Sequence, residues 1–206
     1  MKKSLEIRAI QTEIRELNDG SRMISGLAIP IDSRSELLYD DRTNTEFYET
    51  ISRDAITDDI IHKFDIKLYV NHDASQGTYA RSKYGEGSLS LFVTERGLEF
   101  ETELPRTAFG DQLLEGIKRG DYDAISFAFY PESDEWKNNG DGTYDRTIRS
   151  FELLDEISIL SCTPAYGATE VSCRSLEKFK EQERIEEEKR KSSILLKLEE
   201  KLKEIE

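Results

Sequence analysis

Histidine, cysteine, proline and tryptophan are all scarce in this chain: two His, two Cys, four Pro and one Trp among 206 residues. Two cysteines, Cys162 and Cys173, cannot form a disulfide framework, and they read as reduced thiols of a cytosolic protein. With only His62 and His72, and no Cys/His cluster at ligand spacing, neither a metal site nor a cofactor is expected. No apolar run approaches the roughly 18 residues that span a bilayer. The N-terminus opens Met1-Lys2-Lys3 and turns amphipathic at once, so no secretory leader is expected there. Basic charge is also short. Asp and Glu total 43 against 29 Lys and Arg, a net charge of −14. A surface of that sign repels phosphate backbones and anionic lipid, which argues against nucleic-acid and membrane partners.

What is present is a polar but foldable chain, 36% hydrophobic and 35% charged, with room for one core. Composition changes near Arg174. The 32 residues from Ser175 to Glu206 hold ten acids, nine bases and no Gly or Pro. This reads as a charged helix with Glu and Lys at pairing distances. Its only apolar repeat is Leu195, Leu198, Leu202 and Ile205, a short stripe suited to self-association or to a partner helix. The expected division is therefore 1–174 for the globular body and 175–206 for a helical tail.

The body reads mostly as strands. Arg22 to Ile29 runs into Pro30; Ile66 to Val70 delivers Asn71-His72-Asp73; Leu89–Thr94 and Leu98–Leu104 form a hairpin, with Gly97 placed for positive φ. A second hairpin joins Ala124–Trp136 to Thr143–Ser161 through Asn138-Asn139-Gly140-Asp141-Gly142. Helices are expected over Arg53–Phe64 and over Thr107–Arg119, with Phe109, Leu113, Leu114 and Ile117 sharing one side of the latter. The fold class is α+β or mainly β, an antiparallel sheet or barrel with a few helices.

Nucleophilic chemistry needs a hydroxyl or thiol, a base, and a group that orients the base. Two histidines leave little choice of base. His62 reads as a helix-end residue, whereas His72 sits just past an apolar strand, where sheets present reactive side chains. Ser126 follows in Gly120-Asp121-Tyr122-Asp123-Ala124-Ile125-Ser126-Phe127-Ala128-Phe129. Alternation places Ile125, Phe127 and Phe129 on one face and Ser126 between two alanines on the other, a face expected to be open to a substrate. Cys162 and Cys173 are weaker nucleophiles, with no local reason to be thiolates. Asp155 and Glu156 interrupt the apolar strand Leu153–Ser161, and a buried carboxylate needs a partner. Alternation groups Asp155 with Leu153, Ile157 and Ile159, and Glu156 with Leu154, Ser158 and Leu160. The pattern alone does not choose between them, and because Asp155 is on the more apolar face the lean is not toward Glu156.

The order of these segments resembles the prohead (capsid maturation) serine proteases of tailed phages, distant relatives of the herpesvirus assemblins. The matching pieces are Asn71-His72-Asp73, Gly97-Leu98-Glu99-Phe100, Gly120 leading to Ser126-Phe127-Ala128-Phe129, Leu154-Asp155-Glu156-Ile157-Ser158, and Thr163-Pro164-Ala165-Tyr166. They span roughly Leu5 to Arg174. The chain departs from the family where many members read Leu-Gly-Arg and this one reads Thr78-Tyr79-Ala80-Arg81.

The resemblance implies a compact antiparallel β-barrel surrounded by helices, with His72 as catalytic base, Ser126 as nucleophile and Glu156 as third member. Asp155 is the reserve for that third place. It further implies an endopeptidase acting on the major capsid protein, the scaffold and itself, inside the procapsid in the host cytoplasm, with no cofactor. The competing expectations are an inactive scaffold protein of the same fold and an unrelated acidic β-domain that binds a peptide at a sheet edge. Nothing in the sequence identifies the donors of an oxyanion hole.

Overall fold

The structure is a computed structural model that describes residues 5–11, 14–16, 21–161 and 174–203. Cys162, Cys173, the 163–166 motif and Ile205 lie outside these residues, as do the side chains of Leu195, Leu198 and Leu202. The chain divides into two compact units, Met1–Ser172 and Cys173–Glu206.

Among its described residues the first unit has twelve strands: β1 (Glu6–Gln11), β2 (Arg15–Glu16), β3 (Met23–Pro30), β4 (Leu38–Asp40), β5 (Thr45–Ile51), β6 (Asp65–Val70), β7 (Ala80–Lys83), β8 (Glu86–Gly87), β9 (Leu89–Thr94), β10 (Gly97–Glu103), β11 (Ala124–Asn138) and β12 (Tyr144–Leu160). Two helices punctuate them, α1 (Asp58–Lys63) and α2 (Ala108–Arg119). One sheet of eight strands runs β1-β11-β12-β6-β7-β8, with β5 pairing β12 and β4 pairing β5; the other runs β2-β3-β10-β9. Neither closes, so the expected barrel gives way to two open sheets. The large sheet is also mixed rather than antiparallel, because β12 pairs in parallel with both β5 and β6. Seventeen residues without a proline let β12 serve both partners along its length. The α+β, strand-rich class stands.

The alternating strands bury their apolar residues in one core. Ile24 and Ile29 of β3, Leu98 and Phe100 of β10, Ile125, Phe127 and Phe129 of β11, and Ile157 and Ile159 of β12 are all essentially inaccessible. The β9–β10 hairpin turns as expected: Gly97 has φ +136°, and a Cβ there would lie 2.0 Å from the Ile29 carbonyl oxygen, so only glycine fits. In α2 the Thr107 hydroxyl caps the N-terminus by accepting from the Gly110 amide, and Gly120 ends the helix in the left-handed region. Leu113, Leu114 and Ile117 are buried, but Phe109 is exposed and leaves the face it was expected to share. The helix expected over 53–64 splits into a 3₁₀ turn at Arg53–Ala55 and α1, because Ser52 and Thr57 each start a separate turn.

A buried ionic cluster stitches β1, β5, β11 and β12 together. Arg8 donates to Glu6 and to both oxygens of Glu49. Arg146 donates to Glu6, Glu49 and Asp134. Arg8, Arg146, Glu6 and Glu49 are each at least 95% buried. The charges compensate one another, and removing one partner strands the rest in a low dielectric. Arg146→Met is therefore expected to cost about 3–5 kcal/mol, read as a lowered melting temperature. Burial alone would raise the Glu6 pKa, but Arg146 and Arg8 outweigh it and hold the carboxyl below its usual range. A depressed carboxylate stabilises the fold fully above its unfolded-state pKa and loses that contribution as pH falls through the folded-state value. The wild-type melting temperature should consequently drop in acid, and the Arg146→Met protein should lose much of that dependence.

The second unit contains α3 (Arg174–Lys203), a 30-residue helix without Gly or Pro. Lys191 pairs with Glu187 and Arg184 with Glu181 at helical spacing. Ile185 and Ile194 are exposed, and among the described residues no helix is long and apolar enough to cross a membrane.

Candidate active site

Three neighbouring strands of the large sheet deliver the site. β11 places Ser126 opposite Ala9 of β1 and opposite Ser158 of β12. The apolar residues Ile125, Phe127 and Phe129 fix which face enters the core, so Ser126 emerges on the other face between Ala124 and Ala128. That face is not open as expected: Ala124, Ser126 and Ala128 are each 0% exposed.

β12 supplies the acid pair, and here the ladder changes register. Ala128 stands opposite Glu156, but the next residue, Phe129, stands opposite Leu154. Asp155 is thus an extra residue, a β-bulge, and the strict alternation that put it on the apolar face does not apply across it. Leu154 and Ile157 both remain in the core. The Asp155 carboxylate instead accepts from Lys67 Nζ at 2.8 Å and stays 40% exposed. Burial opposes the Lys67 charge, yet the hydrogen bond and the negative charge of Asp155 outweigh it and raise the lysine above its usual pKa. Glu156, mostly buried, sits with Ser158 and Ser126 on the other face.

His72 arrives from β6. Beyond Val70 the chain reverses through Asn71 and His72, both at positive φ (+52° and +57°), and the Asp73 amide returns to the Val70 carbonyl at 3.0 Å. Two consecutive positive-φ residues are the mark of a mirror-image turn, a region uncommon for non-glycine residues in which Asn and His are enriched. The surroundings hold this strained turn from both ends. The Asn71 amide group exchanges hydrogen bonds with Ser161: its Oδ1 accepts from Ser161 N at 3.0 Å, and its Nδ2 donates to Ser161 Oγ at 3.0 Å. On the far side Asp73 accepts from the Ser75 amide and from Gln76. The Ser75 hydroxyl and amide hold the exposed Asp73 carboxyl below its usual pKa.

The result is a continuous chain of hydrogen bonds. His72 Nδ1 donates to Glu156 Oε1, which leaves Nε2 free to accept from the Ser126 hydroxyl at 2.8 Å. This tautomer satisfies both contacts and leaves the Nε2 lone pair aimed at Oγ. The imidazole is the most accessible member, with 26% of its side chain exposed against 10% for Glu156. His62 lies elsewhere, on α1, with its ring on the Tyr84 carbonyl. Of the residues singled out from sequence, the structure brings His72, Ser126 and Glu156 together and assigns Asp155 a different partner. Sequence reading missed Ser161 and Lys67. The sole signal for Lys67 was a cation in the otherwise apolar Ile66–Val70 run.

An acid, a histidine and a serine in sequential hydrogen-bond contact are the arrangement that nucleophilic hydrolysis can use. The chain belongs to the caudovirus prohead serine protease family, whose sequence profile matches residues 8–182, and it is in class a capsid-maturation protease. Among solved structures, the capsid assembly protease gp21 of bacteriophage T4 is similar, with a TM-score of 0.43 and 10% identity; the match covers 78% of this chain and 98% of that one. No match was found among curated proteins.

Proposed function

We propose that the chain is a serine endopeptidase in which Ser126 is the nucleophile, His72 the general base and then acid, and Glu156 the group that orients and stabilises the imidazolium. The observation that carries this reading is the unbroken Glu156–His72–Ser126 hydrogen-bond chain. As Ser126 Oγ bonds to the scissile carbonyl carbon, its proton passes to His72 Nε2 and the carbonyl π pair moves to oxygen. Collapse breaks the C–N bond, and the leaving amine takes the proton from His72. Water then repeats the sequence on the acyl-enzyme. Family membership supports the substrates: capsid and scaffold proteins, and the protease itself, within the procapsid in the host cytoplasm. The test is co-expression with the cognate capsid protein. A shortened capsid band with the wild type, and a full-length band with a folded Ser126→Ala protein, is expected; shortening by both proteins would contradict the reading.

The proposal extends to the division of labour along the chain, with residues 1–174 as the protease domain and 175–206 as a helix that directs the protease into procapsids by self-association or by docking on scaffold. An isolated helix with so few apolar anchors gains little from packing, and the described α3 side chains from Glu181 to Ile194 are almost all exposed. Truncation after Arg174 should leave a folded body that cleaves peptide, while immunoblots of purified procapsids show less protease incorporated. Normal incorporation of the truncated chain would remove the targeting role.

A further inference from the structure

We propose that Ser158 is a further catalytic residue of this site, its hydroxyl donating to the oxygen that becomes charged when a carbonyl carbon is bonded to Ser126. This rests on the serine-protease reading above. Ser158 is 0% exposed, and its Oγ has no hydrogen-bond partner among the described residues. A buried hydroxyl without a partner is a standing cost to the fold, which makes its position informative. It stands directly opposite Ser126 in the β11–β12 ladder and two residues from Glu156 on the same face.

In the resting site the hydrogen bonds of the triad run among its own three members. Glu156 Oε1 takes the His72 proton and His72 Nε2 takes the Ser126 proton. The Ser158 hydroxyl takes no part in them, so its donor is unspent when the reaction creates a new acceptor.

The backbone of the nucleophile's own strand does not supply the donor. β11 is central, laddered to β1 on one side and β12 on the other through Ala124–Ala128, so the amides flanking the nucleophile are committed to the sheet. A nucleophile on a strand-to-helix turn has free amides to offer an oxyanion; Ser126 does not. Directly opposed side chains of an antiparallel pair have Cβ atoms about 4.5–5.5 Å apart, so an oxygen on a carbon bonded to Ser126 Oγ falls within reach of Ser158 Oγ. The hydroxyl is thus unpaired in the ground state and paired in the transition state, the differential interaction that raises turnover.

The test uses 4-nitrophenyl acetate as acyl donor and follows nitrophenolate release by the full chain. Ser158→Ala should slow Ser126-dependent release by about 10²–10³-fold with the melting temperature unchanged or raised, since an unpaired hydroxyl is removed. Ser158→Cys, nearly isosteric but a weak donor, should also be slow and guards against misfolding of the alanine variant. Ser82→Ala removes another buried, unpartnered hydroxyl, on the core-facing register of β7 opposite Ile66, and should leave the rate unchanged. A folded Ser158→Ala protein that acylates at the wild-type rate overturns the role of Ser158 alone. Release that is the same in wild type and Ser126→Ala overturns the nucleophile assignment and this proposal with it.

Discussion

His72→Ala is expected to lower turnover of capsid protein by about 10⁴-fold or more, whereas His62→Ala should leave it unchanged. The imidazole of His72 is the group that links Glu156 to Ser126, and members of one hydrogen-bonded unit fail together rather than additively. Because His72 sits at φ +57°, alanine there does not relieve the turn. His72→Asn, which tolerates the left-handed region better than alanine, should be equally inactive but more stable than His72→Ala. That pairing separates lost chemistry from lost structure. Quantitative gel densitometry of capsid cleavage, with thermal melts of each variant, checks both statements. Loss of activity with His62→Ala and survival with His72→Ala would exchange the two assignments.

The second large effect concerns the acid pair. Glu156→Gln keeps the side-chain size but withdraws the negative charge facing the imidazolium, and the amide can turn its donor toward Nδ1 and favour the wrong tautomer. A fall of about 10⁴-fold in kcat is expected, as for the analogous change in other triads, with a small change in melting temperature. Asp155→Asn weakens a half-exposed ion pair with Lys67, an interaction of about 0–1 kcal/mol, and should shift stability slightly and turnover hardly at all. Greater catalytic loss with Asp155→Asn than with Glu156→Gln would move the third role to Asp155.

The acid pair also marks where sequence reasoning stops. Strict alternation is a sound rule for an uninterrupted ladder, and it placed Ile125, Phe127, Phe129, Ile157 and Ile159 correctly in the core. It grouped Asp155 with the apolar residues because a single bulge residue leaves no trace in composition. The resemblance to phage prohead proteases, not periodicity, pointed to Glu156. His72 was legible as a residue just past an apolar strand, but the tight turn that holds it depends on Ser161, ninety residues from Asn71. Long-range partners explain the other differences as well. The parallel pairing of β12 with β5 and β6 turns a presumed antiparallel barrel into an open mixed sheet, and local pattern does not report strand direction. The Arg8–Glu6–Glu49–Arg146–Asp134 cluster draws on four strands, and each member alone reads as an ordinary surface charge. Burial of Ser126 was likewise hidden: two alanines beside it describe a small-residue face, and what covers such a face is a tertiary fact.

The central claim is that the Ser126 oxygen, activated by His72, is the nucleophile. Incubation of the purified chain with a fluorophosphonate, followed by intact mass and peptide mapping, measures this directly, because the reagent bonds only to an activated hydroxyl. The account predicts a single adduct on Ser126, none on the Ser126→Ala protein, and strongly slowed labelling of the His72→Ala protein. An adduct on another residue, or a Ser126→Ala protein labelled as fast as the wild type, would contradict it.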